Sequence, residues 1–358
     1  MRYVFKTRYN QDIRIWRHEG DLGWYAALLL GAVLMPLALP AYYIGELSTM
    51  LIWAIGGLGA MLLVGYTGQI SLGQAAFVGI GAYTQAVLIS MGFPFLVALP
   101  VAGTLAAATG LLVGAPLTRL HGIYLAVGTL AFASVVEQIF ANWDSVTHGL
   151  NGMPVGDATI GSFSIGTEPA FYYVCLLIAI VATLGVLNWL RSPTGRAMVA
   201  IRDSEIAAVS MGVNLVAYKS YAFAASAFLS GVMGALLAHK ISYLAPEVFN
   251  VNMSIQLLML VLVGGIGSLR GVYFGAAFVA LLPLLIGVFR QALPEWLARQ
   301  PGLEPGFYGA ILVIFILFEP AGIEGRWQKI KFFFSSFPLY KAATFKRQKL
   351  FTRSERLR

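Results

Sequence analysis

Apolar residues along this chain come in long, nearly unbroken blocks separated by shorter polar stretches, not in alternation or in narrow helical stripes. A helix that is apolar all round belongs in a large core or in lipid, and about 20 such residues cross the hydrocarbon of a bilayer. Blocks of this kind fall at 22–44, 46–64, 74–92, 94–118, 122–141, 169–190, 215–239, 252–269, 271–290 and 305–319. The pattern predicts an all-α, polytopic membrane protein with about ten transmembrane helices, some of them broken. The last block is short for a spanning helix. Two polar connections stand out, 142–168 and 191–214. In the first, "ATIGSFSIG" alternates weakly and predicts a short hairpin.

Composition agrees. The 358 residues are 58% hydrophobic and 11% charged, against roughly 25% charged in soluble domains. The net charge is +8, and its placement orients the chain. Arg2, Lys6, Arg8, Arg14 and Arg17 precede the first block, and ten basic residues against Glu355 alone fill Arg326–Arg358. By the positive-inside rule both ends are expected in the cytoplasm. If each block crosses once, Arg119, Arg191, Arg196, Arg202 and Arg270 also fall inside. Segment 142–168, with Asp144, Asp157 and Glu168 and no Lys or Arg, falls outside. Lys240, Arg290 and Arg299 break the alternation without reversing it. The expected organisation is a cytoplasmic segment 1–21, a transmembrane domain 22–320 and a basic cytoplasmic tail 321–358. The tail suits topology fixing and anionic lipid better than nucleic acid. The first block is too long for a signal peptide core and comes after a mixed-charge stretch. Cys175 has no thiol partner for an intrachain disulfide.

The most unusual stretch is "GYTGQISLGQAAFVGIGAY" (65–83). Gly65-Tyr66-Thr67-Gly68 is poor helix material, because each glycine costs about 1 kcal/mol relative to alanine. In hydrocarbon every freed backbone group needs a partner. One helix is therefore expected to end near Gly65 and the next to begin near Ser71 or Gln74, with Ser71 as a candidate cap. Thr67, Gln69 and Gln74 are available either to satisfy freed backbone groups or to face a wet cavity, as at the broken helices of transporters. An ordinary turn between two helices, with Gly73, Gly79 and Gly81 serving close packing, is the plainer alternative. A second glycine-rich segment, Gly264, Gly265 and Gly267 in "VGGIGSLRG", precedes another "AAFV" (276–279). The offsets of 199 and 201 residues from the first segment suggest either an internal repeat or chance.

Segment 191–214, "RSPTGRAMVAIRDSEIAAVSMGVN", is the most hydrophilic inner connection. Pro193 and Gly195 suit a turn. Arg196–Met211 suits one short amphipathic helix that Gly212 stops, with Ala197, Val199, Ala200 and Ile201 on one surface and Arg202, Asp203 and Glu205 offering polar groups. It is either a solvated linker or a docking helix for a cytosolic partner.

Glu205-Ile206-Ala207-Ala208…Gly212 resembles the coupling loop of ABC importer permeases. With GYTGQISLGQAAF, Gly195-Arg196-Ala197-Met198, AIRDSE and VGGIGSLRG, the chain resembles the branched-chain amino acid ABC importer permease family, LivM type, over about residues 45–320. The resemblance implies a bacterial inner-membrane permease subunit working with a second permease chain, two cytosolic ATPase subunits and a periplasmic substrate-binding protein. It also implies ATPase coupling through Arg196, Arg202, Glu205, Ala208 and Gly212. The residues themselves add one point in agreement. No GxxxxGK[ST] phosphate loop is present, so ATP chemistry is expected on another chain.

Intramembrane charge is sparse. Glu137 in "LAFASVVEQIFANW" is the clearest candidate for a substrate path, beside the path or gate candidates Thr67, Gly68, Gln69, Ser71, Gln74, Gly264, Gly265 and Gly267. His18, His121, His148 and His239 lack any paired metal-ligand spacing, and no nucleophile elbow is present. Hence no metal, cofactor or catalytic residue is expected. Two other readings stay open, an ion-coupled secondary carrier and a passive channel for a small polar solute such as urea.

Overall fold

The computed structural model describes residues 19–117, 120, 122–156, 158–160, 163–164, 166–292, 303–319 and 321–336. Arg119, Asp157, Arg299, most of segment 1–21 and the basic tail beyond Ser336 lie outside the described residues.

Helices dominate. They are α1 (Glu19–Ala38), α2 (Ala41–Met61), α3 (Gln74–Ser90), α4 (Phe95–Leu117), α5 (Ile123–Asn142), α6 (Glu168–Arg191), α7 (Pro193–Asp203), α8 (Glu205–Ser210), α9 (Leu215–Ile241), α10 (Val251–Gly264), α11 (Leu269–Ala292), α12 (Leu303–Phe318) and α13 (Gly322–Ser336). Each of the ten apolar blocks contains one of the long helices. Breaks obey local chemistry: α1 stops short of Pro40, and α4 begins after Gly92-Phe93-Pro94, because the residue before proline avoids helical backbone.

Among the described residues, six stretches are long and apolar enough to cross a bilayer: Ala41–Thr67, Phe95–Leu117, Ile123–Asn142, Glu168–Arg191, Leu215–Ile241 and Leu269–Gly287. Among the described residues, the apolar pieces Tyr25–Ala38, Gln74–Ser90, Val251–Gly264 and Gly306–Phe315 are shorter, at 10–17 residues. At 1.5 Å per residue the longest of these reaches about 25 Å, short of the ~30 Å hydrocarbon core. For α3 the cause is visible. Its first residue lies beside Ser226 and Ser230, well along α9, so the helix begins inside the bundle.

The core forms around α9 and α2. Helix α9 packs on α4, α3 and α2, while α2 also packs on α6 and α11. Small residues let α3 and α9 meet backbone to backbone at Gly81 and Gly231, the usual route to close helix packing in lipid. Helix α1 is mostly exposed and is pinned to α6 by Tyr172 and Tyr173, whose hydroxyls donate to the carbonyls of Ala32 (2.8 Å) and Val33 (3.0 Å).

The bundle has two distinct ends. The upper end holds β1 (Met153–Pro154), the hairpin of β2 (Thr159–Ile160) with β3 (Phe163–Ser164), and β4 (Tyr243–Leu244). The hairpin falls where the alternation placed it. Strand β1 pairs antiparallel with β4, Met153 opposite Leu244, and ties segment 142–168 to the exit of α9. Lys240 also sits at this end. It forms an ion pair with Glu168 at 2.9 Å, so its charge is compensated within the chain. The lower end gathers residues 65–68, α7–α8, 265–268 and the start of α13. Helix α13 occupies the first part of the expected tail. It exposes Trp327, Phe333 and Phe334, and its Lys329 and Arg326 pair with Glu319.

Candidate functional site

Helix α2 does not stop at Gly65. Its last turn widens into a π-helix over Leu62–Thr67 and ends at Gly68, which has φ +69. L side chains are strained by roughly 1–2 kcal/mol in that left-handed conformation, so glycine is favoured there. The carbonyl of Leu63 closes the end by accepting from the N–H of Gly68, from the N–H of Gln69 at 3.0 Å and from the Thr67 hydroxyl at 2.7 Å. Residues 68–73 then run without regular structure into the bundle, and α3 starts at Gln74.

Side chains from other helices serve much of this interruption, although Gln69 Nε2 is buried there without a hydrogen-bond partner. Leu72 N–H donates to Thr129 Oγ1 of α5 at 2.9 Å, and Ala75 N–H donates to Ser254 Oγ of α10 at 3.0 Å. Gln74 Nε2 donates to Ser226 Oγ at 3.1 Å, while Ser230 Oγ donates to Gln74 Oε1 at 2.7 Å, both on α9. Thr67, Gln69, Ser71 and Gln74 are all buried, whereas Gly68 and Ile70 are exposed. The polar side chains thus turn inward and hold the break, and the outward edge of the segment is Gly68 and Ile70. The cap of α3 also differs from expectation. Gly73 occupies the N-cap position, and Ser71 Oγ accepts from Gly73 N–H at 3.3 Å, because Ser71 stands too early in the chain to reach the first helical amides.

The second glycine segment meets the first. Tyr66 Oη donates to the carbonyl of Gly267 at 3.0 Å. The backbones of Gly65 and Gly267 touch so closely that a Cβ on Gly65 would lie 2.7 Å from Gly267 N. Gly264 and Gly265 continue this contact toward α11 and α13: Gly264 packs on Gly271 and Gly265 on Ala321 and Glu324. The second "AAFV" lies inside α11 and does not open it, so the two segments are alike at the break and differ in the helix beyond it.

Arg202 of α7 closes the group. Its Nη1 donates to the carbonyl of Gly65 at 2.8 Å, and its Nη2 pairs with Asp203 at 3.0 Å. Gly267 lies beside the same guanidinium. One side chain of segment 191–214 thereby reaches both glycine breaks.

The segment is two helices, not the single expected one. Ser204 has extended backbone (φ −164, ψ 113) and caps α8 by accepting from Ala207 N–H at 3.3 Å. Ser192 caps α7 in the same way through Gly195 N–H at 3.4 Å. Pro193 therefore opens α7 at a position where its missing N–H costs nothing, and the turn expected at Pro193-Gly195 is helical. The buried face of α7 is Gly195, Met198 and Ile201; of the expected surface Ala197, Val199, Ala200 and Ile201, only Ile201 belongs to it. Met198 seats in a cluster with Leu63, Phe77 and Phe223.

Among the expected coupling residues, Ala208 is buried and Gly212, at φ +83, ends the segment. Glu205 pairs with Lys219 of α9 at 2.7 Å, the lysine being almost fully buried. Arg196 Nη1 donates to the carbonyl of Arg191 at 3.1 Å. The outward face of α8 and its exit is apolar: Ile206, Val209 and Met211 are 85%, 53% and 86% exposed. A reading of the segment by its charges misses these three. Glu137 is not drawn into the group. It is half-buried on α5, near Phe140, which packs against Tyr83 and Phe249 toward the upper end.

Broken helices held open by neighbouring hydroxyls, with a polar two-helix segment clamped on the break, define a multi-pass helical transport subunit. The chain belongs to the family of permease components of branched-chain amino acid transport systems, which it matches over residues 42–316. It is 32% identical to the high-affinity branched-chain amino acid transport system permease protein LivM of Escherichia coli (strain K12), covering 83% of this chain and 73% of the relative. It is 23% identical to the probable branched-chain amino acid transport permease protein LivM of Methanocaldococcus jannaschii, over 61% and 66% of the two chains. It is also 22% identical to the ribose import permease protein RbsC of Haemophilus influenzae, over 66% and 73%. No solved structure matches it. The chain is thus the permease subunit of an ABC importer.

Proposed function

We propose that this subunit forms half of a pathway that carries branched-chain or other hydrophobic amino acids inward across a bacterial inner membrane. A second, different permease chain supplies the other half. Two cytosolic ATPase subunits drive the cycle, and a periplasmic binding protein delivers the solute. The lower end faces the cytoplasm with both termini, and all ten apolar blocks lie within the membrane. The substrate class rests on the names of the LivM relatives.

The observation that carries the mechanism is the meeting of Arg202, Gly65 and Gly267. ATP-driven closure of the ATPases moves α7–α8, docked through Ile206, Val209 and Met211. Arg202 passes that displacement to both glycine breaks, whose backbones move together through their close contact. Gly68 and Ile70 form the gate face, while Thr67, Gln69, Ser71 and Gln74 hold its frame and Gly264, Gly265 and Gly267 supply the matching hinge. The exposed apolar patch of Ile206, Val209 and Met211, placed beside the break, supports an importer driven by a docked ATPase over a self-contained carrier or a channel.

The deciding experiment purifies the chain with its neighbours. ATPases and a second permease chain should co-elute, and leucine-loaded binding protein should stimulate hydrolysis. A chain that purifies alone and passes solute without ATP would be a carrier or channel.

A further inference from the structure

The upper end holds a cavity of about 380 Å³ between α2, α9, α10, α12 (through the buried Tyr308) and the α9–α10 connection. That volume is at the small end of ligand pockets, which run about 300–1,000 Å³. Its walls divide by chemistry. Met253 and Leu237 are buried and Trp53 is half-buried, making an apolar floor. Glu247 and Asn252 are exposed, with Gln256 half-buried, making a polar rim. The side chains of Glu247, Asn252 and Gln256 make no hydrogen bond or ion pair with other described residues. Among the described residues, no Lys or Arg lines the cavity.

We infer that this cavity is an entry subsite for a zwitterionic amino acid with an apolar side chain. The inference rests on the substrate class proposed above. A carboxylate at the rim matches an α-ammonium group. Two carboxamides can donate to an α-carboxylate without presenting a competing positive charge. The apolar floor takes the side chain, where burial yields about 25 cal/mol per Å² removed from water. Because the charged groups stay at the wet rim, their desolvation penalty is small, unlike that of charges carried into the interior. The balance suits loose, transient binding between release from a delivery protein and passage inward. A neutral polar solute leaves the floor unused, and an acidic amino acid is repelled by Glu247.

The test uses the assembled importer in lipid discs, without binding protein, in a Cys175→Ala background. Ile241→Cys on the cavity wall serves as reporter, since Ile241 is partly exposed and is not one of the recognition groups. Millimolar leucine should slow maleimide labelling several-fold. Aspartate and 4-methylpentanoate, which lacks the ammonium, should leave it unchanged, and Glu247→Gln should abolish the protection by leucine. Labelling indifferent to leucine, in a complex whose ATPase leucine-loaded binding protein still stimulates, overturns the subsite and leaves the importer reading standing. Protection by urea or aspartate instead of leucine, with no stimulation by leucine, overturns the subsite together with the proposed substrate class.

Discussion

Arg202 and Gly65, 137 positions apart in the chain, are joined by a 2.8 Å hydrogen bond from the guanidinium to the glycine carbonyl. The carbonyl belongs to a π-turn, where the ordinary helical acceptor pattern is already disturbed. A charged donor there is worth about 1.5–3 kcal/mol, and it sits beside the exposed apolar face of α8.

Arg202→Ala is expected to leave the complex assembled while transport falls roughly tenfold or more, the equivalent of losing one charged hydrogen bond. Arg202→Lys should recover little, because a point charge cannot serve Gly65 and Asp203 together as a planar fork does. The measurement is uptake and ATP hydrolysis per assembled complex in proteoliposomes. Wild-type coupling in Arg202→Ala would remove Arg202 from the mechanism.

Coupling is expected to depend on the apolar face of α8 and not on its charges. Ile206→Glu with Met211→Glu should weaken co-elution of the ATPases and abolish stimulation, with little change in the thermal stability of the chain, because both residues project from it. Glu205→Arg should act differently. It leaves the buried Lys219 ammonium facing a like charge, where breaking a buried pair costs about 3–5 kcal/mol and the partial exposure of Glu205 reduces that. A lowered yield of folded protein is the expected result. If Glu205→Arg folds as wild type and only uncouples, the glutamate contacts the partner after all.

Much of this architecture was legible because lipid leaves few choices. Apolar blocks must become helices, and all ten contain one. The interruption at GYTG was readable from glycine propensity. Its supports were not. Thr129, Ser226 and Ser254 serve residues 57, 152 and 179 positions away, and a lone hydroxyl in an apolar helix carries no local sign of its partner. Ser226 and Ser230, one helical turn apart on a face that meets Gln74, were the nearest thing to a signal. The split of segment 191–214 was in principle readable, since Ser204 before Glu205 is a good N-cap, but continuous amphipathic spacing suggested one helix. Lys240 is an exception to the charge rule only until its partner Glu168 is placed beside it.

The supports of the break give a stability prediction. Ser254→Ala removes the acceptor for Ala75 N–H, and Gln74→Leu strands Ser226 and Ser230. Each leaves a buried polar group unsatisfied, costing about 1–3 kcal/mol. Both should lower the unfolding temperature of the purified complex. The double variant should be less destabilised than the sum, because both changes loosen the same helix start. Unchanged melting in Ser254→Ala would mean that water replaces the hydroxyl.

Sidedness can be tested by placing thiols at opposite ends. In a Cys175→Ala background, Asn151→Cys near β1 should label from outside intact cells, and Ser210→Cys on α8 only after permeabilisation. Both positions are exposed, and Ser210 avoids the capping role of Ser204. Labelling of both from one side would contradict the assignment of the lower end to the cytoplasm.

The gate itself is tested by comparing two glycines of one stretch. Gly68 ends α2 at φ +69, and a Cβ there would meet Arg202 Cγ at an ordinary 3.4 Å. Gly68→Leu is therefore limited by backbone conformation and not by space, at roughly 1–2 kcal/mol. It should bias the segment toward continued helix and move the outward edge at Ile70. Gly79 lies inside α3, where a Cβ would press on the rings of Phe140 and Phe249. Gly79→Leu overpacks the core, which typically costs about 1–3 kcal/mol, without touching the break. Gly68→Leu should assemble in near-normal amount and transport poorly per complex, whereas Gly79→Leu should assemble poorly and transport normally per complex. Uptake divided by assembled complex, counted by co-eluting ATPase, separates the two. If Gly68→Leu transports normally per complex, or if both variants fail only by losing assembly, residues 65–74 are a structural turn, and the gate lies elsewhere on the bundle.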